Sequence, residues 1–221
     1  MRVNKQLIIC LFFLLAGSLA RSQTSTFSPE WAYGVNLGNT YSKVSFTSSI
    51  RVPQELLSQY SGGLSVRYIS EEHFGIYGEL NFSQRGWKER SDSVHLNHLT
   101  RSLSYIELPL MSHIYFSMGS RARFFANVGP QIGYNIGDKI QEKIVFDPEN
   151  ATYYNLKVQQ KFDYGLKGAI GLEFRTGIGS FILDGRYYFG LSDIYHNTRA
   201  DIFQSSSNQV IGVNLSYLLR K

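Results

Sequence analysis

Cysteine is almost absent from this chain of 221 residues: the one cysteine, Cys10, lies in an N-terminal segment that we expect to be cleaved off. The remainder therefore has no thiol for a disulfide, a thiolate metal site or a cysteine nucleophile. Charged residues are also scarce, at 18% of the chain, against about 25% in an ordinary soluble domain. Packing or a membrane, and not covalent cross-links, must hold such a chain together.

Long apolar runs are lacking as well. The apolar fraction is 43% and the mean hydropathy is −0.17, which excludes a bundle of transmembrane helices. Beyond residue 30 there is no helical periodicity of any length, and no glycine cluster follows a strand and opens a helix as a phosphate loop does. Aromatic residues, by contrast, are abundant, with 15 Tyr and 15 Phe. This composition is unusual for a cytosolic domain.

Residues 1–22 have the pattern of a secretory signal peptide. Arg2 and Lys5 precede the apolar stretch 7–17, and small residues then allow cleavage after Ala20 or after Ser22. A membrane anchor is the alternative, but a spanning helix needs about 20 apolar residues. Cleavage after Ser22 lowers the net charge from +5 to +2, so the basic excess does not indicate nucleic-acid binding. We expect residues 23–30 to form a short N-terminal segment and 31–221 to form one domain.

Apolar and polar residues alternate with a period of two in eight segments, which predicts eight β-strands. The segments fall within 31–38, 63–68, 74–83, 105–116, 123–134, 162–174, 181–190 and 211–219. The connections alternate between long and short, the long ones being about 39–60, 87–101, 137–160 and 191–207. Long loops on one side and tight turns on the other are typical of outer-membrane barrels. The sequence therefore predicts an all-β, eight-stranded, antiparallel up-and-down transmembrane β-barrel.

Two prolines fall inside predicted strands. Pro109 lies in the fourth segment and Pro130 in the fifth, and neither residue has an N–H group for the ladder. We expect each proline to mark a bulge.

The polar face of the alternation is balanced in charge, which predicts a plugged interior. Gly, Asn and Ser dominate this face, and Lys and Glu are few. The charged residues on it are five bases and five acids. Side chains just fill an eight-stranded barrel, and buried charges need partners. The predicted interior network comprises Arg67, Glu79, Glu107, Arg123, Asp163, Lys167, Glu173, Arg175, Asp184 and Arg186.

Aromatic residues near the segment ends fall on the opposite, apolar face. At the two membrane interfaces such residues form girdles. The predicted girdle comprises Trp31, Tyr33, Tyr68, Phe74, Phe116, Phe124, Tyr134, Phe162, Phe189 and Tyr217.

Four runs of this sequence resemble strands of the PorT-like outer-membrane β-barrel family of Bacteroidota. They are 76–86, 103–110, 128–134 and 186–194, and the Tyr105-x-Glu107-x-Pro109 and Gly129-Pro130-Gln131 patterns are the most specific parts. The resemblance implies an integral outer-membrane barrel, with lipid and the barrel assembly machinery as partners, and a possible role in type IX protein secretion. The chain departs from the usual aromatic C-terminus, so Tyr217 and Leu219 are expected to serve in recognition by that machinery.

Catalytic and metal-binding patterns are weak. His95 and His98 lack a third ligand nearby, and Ser112 and His113 are strand neighbours that point to opposite faces. His98 with Ser102 or Ser104 is the one arrangement that could form a lipid-A-modifying site. His113 is expected to hydrogen-bond inside the plug. The charges of the four long loops sum to zero, which disfavours nucleic acid as a partner.

We therefore expect a non-enzymatic outer-membrane protein without cofactor, metal or channel, with a structural, surface-interaction or secretion-accessory role. A protein partner would bind at the extracellular loops. The alternatives are a soluble exported barrel that binds a small apolar ligand and a lipid-A-modifying enzyme.

Overall fold

The computed structural model describes residues 27–48, 54–89, 98–144, 156–196 and 203–221, and the predicted signal peptide lies outside these ranges. Nine β-strands make up the fold: β1 (Glu30–Ser48), β2 (Gln54–Glu55), β3 (Leu57–Glu71), β4 (Phe74–Glu89), β5 (His98–Met118), β6 (Ala122–Ile144), β7 (Phe162–Thr176), β8 (Gly179–Asp193) and β9 (Phe203–Arg220). Among the described residues, no helix is long and apolar enough to cross a membrane.

The eight long strands close into a ring. Each pairs antiparallel with its neighbour in sequence, and β1 pairs with both β3 and β9, which completes the circle. The two-residue β2 adds to β4 just beyond the start of β3, with Gln54 opposite Glu89. The predicted eight-stranded antiparallel up-and-down barrel is confirmed. Closure pairs the backbone groups of every strand without leaving an open edge, as a membrane-spanning sheet requires.

Alternation along each strand gives the barrel an apolar outside and a largely polar inside. Strand β8 is representative: Phe181, Leu183, Tyr187, Phe189 and Leu191 are exposed on its outer face, while Asp184 and Ser192 on its inner face are buried. The ten residue steps from Phe181 to Leu191 correspond to about 25 Å of height in a tilted strand, which matches the apolar band of outer-membrane barrels.

Short turns lie at one end of the barrel, called here the turn side. They connect β3 to β4, β5 to β6 and β7 to β8, and the ends of β1 and β9 lie on the same side. Gly119 has a φ of +73° in the β5–β6 turn, a conformation that favours glycine. His73 adopts a φ of +72° in the β3–β4 turn, where its Nδ1 lies 3.0 Å from the Tyr115 carbonyl oxygen. The opposite end is called the loop side.

The predicted extents of the long connections are wrong. Strand β1 continues to Ser48 and β3 begins at Leu57, so most of the predicted loop 39–60 is paired strand. Strands β5 and β6 likewise extend into the predicted loops 87–101 and 137–160. In the loop-side part of β1, outward residues such as Asn39 and Lys43 are polar. Outward and inward residues then no longer differ in polarity, although the backbone pairing continues.

The bulges predicted at the two prolines are also absent. Strands β4 and β5 keep one register across Pro109, from Gly78–Leu110 to Asn81–Glu107. Pro130 lies opposite Leu166 in an uninterrupted pairing. A proline removes one donor from the ladder but adds no residue to it, so the register does not have to shift. The register shifts of β5 lie elsewhere, at Thr100/Arg101 and Ser104/Tyr105.

Candidate functional site in the barrel interior

The interior contains two apolar clusters with buried charges beside and between them. The turn-side cluster consists of Ala32, Ile69, Tyr77, Met111, Tyr115, Phe125, Ile182 and Leu218. The mouth cluster, on the loop side, consists of Val44, Trp87, Leu99, Leu103, Tyr105, Ile194 and Tyr195. The sequence predicted a polar plug, so these apolar clusters are an addition to it.

All ten charges predicted for the interior lie on inward faces. Eight of them are buried and two, Arg175 and Arg186, are half-buried. They form three groups of ion pairs, which lie at successive heights along the barrel.

The first group lies near the turns. Both guanidinium nitrogens of Arg67 bond to the Glu173 carboxylate, at 2.8 and 2.9 Å. Glu30 bridges Arg67 at 3.3 Å and Arg175 at 2.7 Å, and Arg123 lies 3.8 Å from Glu173. Three arginines thus share two carboxylates in the barrel interior.

The second group lies at mid-height around Glu79. Its carboxylate accepts bonds from Lys167 Nζ at 3.2 Å and from Arg186 at 2.8 and 3.0 Å. Asn81 adds a bond of 2.9 Å to the same carboxylate, and Arg186 also pairs with Asp184. Each buried charge in this group therefore has an opposite charge in contact, as burial in a low-dielectric interior requires.

The third group surrounds Arg85, whose side chain is fully buried. Its Nη2 lies 2.7 Å from Asp163 Oδ2, and its Nη1 lies 3.6 Å from Glu107. The guanidinium carbon sits 3.6 Å from the centre of the Tyr105 ring and 5.2 Å from that of Tyr188, within the range of cation–π attraction.

The Arg85 group is completed by hydroxyl donors to Asp163. Tyr188 Oη donates at 2.6 Å and Ser192 Oγ donates at 2.5 Å. Gly133 lies beside the guanidinium: a Cβ atom at this position would be 3.4 Å from Arg85 Nη2 and 3.6 Å from Tyr105. These distances are ordinary van der Waals contacts, so the backbone of β6 packs directly against the cation and its aromatic partner.

Sequence reasoning missed Arg85 and Glu30. Arg85 lies two residues beyond the end of the third predicted segment, in the run that resembles a PorT-like strand, and Glu30 precedes the first alternating residue. With both included, six cations face six anions across the three groups. The interior remains neutral, as burial of many charges demands.

The four family-like runs converge on this third group. They contribute Arg85 from β4, Tyr105 and Glu107 from β5, Gly133 from β6, and Tyr188 from β8. Glu107 and Tyr105 of the Tyr-x-Glu-x-Pro pattern both face inward, next to Arg85. The Tyr-x-Glu-x-Pro pattern therefore specifies part of one buried cluster, whereas Gln131 of the Gly-Pro-Gln pattern lies at the mid-height cavity beside Lys167.

Little space is left between the charge groups. A cavity of about 30 Å³ lies against Asn81, Lys167 and Arg186, which is enough for one or two water molecules. Several buried polar atoms, among them Gln131 Oε1 and Asn214 Oδ1, have no protein partner within the described residues. Water in or near this cavity would satisfy such atoms.

The loop-side mouth is closed by the ends of β4 and β5, which are buried on both faces. Gly86 and Trp87 are consecutive residues, so they face opposite sides of β4, and both are buried. The Gly86 N–H donates to Ser42 Oγ at 2.8 Å, and Thr40 Oγ1 donates to the Gln84 carbonyl oxygen at 2.9 Å. Side chains of β1 thus form hydrogen bonds with the backbone of β4 across the barrel interior.

Arg101 of β5 links the same region to the neighbouring strand β6 and to the segment that follows β8. Its Nε lies 2.6 Å from Asp138 Oδ1, and its Nη1 donates to Tyr195 Oη at 2.9 Å. Burial raises the pKa of the Tyr195 hydroxyl against the opposing effect of the Arg101 charge, so this hydroxyl stays protonated at neutral pH. The sequence had placed Arg101 in a loop.

The predicted girdle residues lie on the outer face in two zones. Trp31, Tyr33, Tyr68, Phe74, Phe116, Phe124 and Tyr217 lie toward the turn side, and Tyr134, Phe162 and Phe189 lie toward the loop side. Eight of the ten are exposed. Tyr68 and Tyr217 are half-buried, because Tyr68 packs on Trp31 at 4.5 Å and Tyr217 Oη bonds to the Ile178 carbonyl oxygen at 2.6 Å.

In the described ranges, the histidines do not form the serine pairs that the sequence suggested, and none belongs to a group of potential metal ligands. His98 contacts Glu142 at 3.1 Å and Thr100 at 3.3 Å through the same ring nitrogen, and bonds to neither Ser102 nor Ser104. His113 Nδ1 lies 2.7 Å from Asn127 Oδ1, inside the barrel. His95 lies outside the described residues. Groups of three or more potential metal ligands are absent from the part of the chain that the structure describes.

A closed antiparallel ring with an apolar outside and a neutralised charged inside is the architecture of a small outer-membrane barrel. A family described as outer membrane protein beta-barrel domain matches residues 21–196. The chain belongs to this family. It is therefore an outer-membrane β-barrel protein, and its location is the outer membrane. No curated protein matches the sequence.

Solved structures share the architecture at low sequence identity. The outer membrane protein OprG from Pseudomonas aeruginosa is 9% identical over 88% of this chain and 96% of OprG, with a TM-score of 0.57. Neisserial surface protein A is 12% identical over 88% of this chain and 98% of its own, with a TM-score of 0.43. Outer membrane protein W of E. coli is 12% identical over 87% and 99%, with a TM-score of 0.40. The likeness to OprG supports the fold alone.

Proposed function

We propose that this outer-membrane barrel is a closed, non-conducting protein without catalytic activity, whose loop side is a rigid platform for contact with another protein. The observation that carries the proposal is the filled interior. Three neutralised ion groups, the turn-side cluster and the mouth cluster occupy the space that a channel would need.

The loop side offers a rigid scaffold for contacts. Strands β5 and β6 stay paired as far as His98 and Ile144, beyond the apolar band, and Arg101 ties them to Asp138 and Tyr195. Paired strands that hold surface loops in place are the usual arrangement of a binding surface on a rigid framework.

Planar-bilayer recording tests the absence of a channel. The purified protein should give no conductance above that of protein-free bilayers, while a porin reconstituted in the same way gives discrete steps. Conductance steps from the wild-type barrel would contradict the closed interior.

Unchanged lipid A in a deletion strain, measured by mass spectrometry, is the expected result for a protein without lipid-A-modifying activity.

Photo-crosslinking tests the platform. A crosslinking residue placed at the exposed Lys139, on the loop side, should capture a defined protein in intact cells. The same residue placed at the exposed Glu72, on the turn side, is the matched control and should not capture it. Equal capture from both positions would count against a loop-side partner.

A secretion-accessory version of this role is the second candidate, and the PorT-like patterns around Glu107 and Gln131 favour it. Deletion of the gene should then leave proteins that are normally exported in the periplasm, and the intact gene should restore their release. Normal export in the deletion strain would eliminate the secretion-accessory version and leave the closed-barrel proposal untouched.

A further inference from the structure

A polar pocket opens on the turn side of the barrel, between the β5–β6 turn, the β7–β8 turn and the end of β9. Its volume is about 520 Å³, and it is lined by Ser120, Arg121, Arg175, Thr176, Gly177 and Arg220. Three of the six lining residues are arginines, and none is acidic. None of the three ion groups described above includes Arg121 or Arg220.

The cations of this pocket are incompletely neutralised. Arg175 shares Glu30 with Arg67, at 2.7 and 3.3 Å, whereas Arg121 and Arg220 form no ion pair with any described residue. Arg220 donates one bond, to the Thr176 carbonyl oxygen at 2.5 Å. The pocket therefore carries excess positive charge.

Two donors in the pocket are also unused. The Nε atoms of Arg175 and Arg220 are buried and find no acceptor within the described residues. A buried donor without an acceptor is costly, and a guanidinium group offers several N–H donors in a planar fork that fits phosphate oxygens. An anion with several oxygens is the chemistry that these donors match.

The charge is confined to one sector of the rim. Apart from Glu30 and Glu173, which already pair with arginines of the first ion group, the acidic residues of the described turn side are Glu71 and Glu72. They lie where β3 ends and the β3–β4 turn begins, which the strand order places across the ring from β7 and β8. Distance and solvent screen this acidic turn from the arginines. Glu30 therefore offsets only part of the positive charge of the pocket.

Apolar outward residues border the pocket. Phe174 precedes Arg175 and is 50% exposed, Ile178 in the β7–β8 turn is 71% exposed, and Leu219 precedes Arg220 and is 43% exposed. Since the protein lies in the outer membrane, this border places the arginines at the level of the lipid headgroups on the turn side.

We propose that the pocket binds the phosphate group of an anionic amphiphile, held by Arg121, Arg175 and Arg220. A phospholipid headgroup places its phosphate against the arginines and its acyl chains against Phe174 and Leu219. A soluble phosphate offers the same oxygens without the chains. The site is independent of the proposed closed-barrel function.

The variant Arg121→Gln/Arg220→Gln tests the site, because it leaves the Glu30–Arg175 pair intact. Its control is Lys139→Gln/Lys157→Gln, which removes the same charge from exposed loop-side positions. Each protein is placed in nanodiscs of phosphatidylcholine with a minor fraction of phosphatidylglycerol, and the lipids that stay bound are measured by native mass spectrometry. A parallel titration with inorganic phosphate uses protein in zwitterionic detergent. Heat-modifiable migration verifies folding.

Wild type and control should retain phosphatidylglycerol selectively, and the arginine variant should lose about tenfold in that selectivity, since each lost charge-assisted bond is worth about tenfold or more in binding. A loss confined to the inorganic phosphate titration also supports the site and identifies a soluble donor of the phosphate. Binding that is equal for the folded arginine variant and wild type in both measurements would overturn the proposal.

Discussion

The charged interior and the mouth cluster are both buried parts of one barrel, yet different forces hold them. In the interior each charge depends on partners from several strands, as Glu79 does on Lys167 and Arg186. In the mouth, aromatic and aliphatic side chains pack around Trp87, with Phe46 at 5.4 Å and Tyr195 at 6.5 Å between ring centres. Loss of one ion leaves another buried charge unpaired, whereas loss of one apolar side chain leaves a cavity that its neighbours partly fill.

The largest effect is expected from Arg85→Met. The change leaves Asp163 and Glu107 buried without their cation and should lower the free energy of unfolding by about 3–5 kcal/mol. Urea unfolding in lipid vesicles, followed by tryptophan fluorescence, measures it. The compensated variant Arg85→Met/Glu107→Gln/Asp163→Asn should recover much of the loss. If the single variant is as stable as wild type, the interior does not depend on the ion pairs of Arg85 for its stability.

A smaller, local effect is expected from Trp87→Ala. Removal of this buried ring should lower the local stability of the mouth by about 3 kcal/mol. The loop side should become sensitive to protease, while the barrel keeps its heat-modifiable migration. Trp31→Ala, which removes an exposed tryptophan from the outer face, is the control and should leave the protease pattern unchanged. Global unfolding of Trp87→Ala would show that the mouth and the interior form one cooperative unit.

Arg101→Gln should lower the stability of the mouth by about 1–3 kcal/mol, because Asp138 and the Tyr195 hydroxyl lose their shared charged donor. Hydrogen exchange should accelerate in the loop-side ends of β4 and β5 and stay unchanged around Arg67. Faster exchange near Arg67 would mean that the two regions are coupled.

The smallest effect is expected from Lys88→Ala. Lys88 lies on the same hairpin as Trp87, but its pair with Glu55 at 3.3 Å is exposed on both sides, and such pairs contribute within about 0.5 kcal/mol. Urea unfolding should be nearly unchanged. A large loss here would indicate that β2 contributes to closure of the mouth.

The same contrast explains what could be read from the sequence. Where lipid lies outside and ion pairs lie inside, every second residue differs in polarity, so the strands, the ring and the inward charges such as Glu79 and Asp184 could be predicted. At the mouth, protein covers both faces of β4 and β5, and the consecutive residues Leu99 and Thr100 are both buried. Alternation carries no signal there, and the hairpin was interpreted as a loop. Arg85 was missed for a related reason: it follows the last alternating residue of its segment.

The seam between β1 and β9 joins the two strands that are farthest apart in the chain, from Ala32–Arg220 to Ser48–Phe203. Every other pairing between the eight long strands joins neighbours in sequence and can form as a local hairpin. Closing this one brings together the ends of the whole domain, which carries the largest loop-closure entropy of any seam. Until then β1 and β9 are two unpaired edges, able to pair with a foreign strand. During assembly this protein therefore needs protection longest at its two ends.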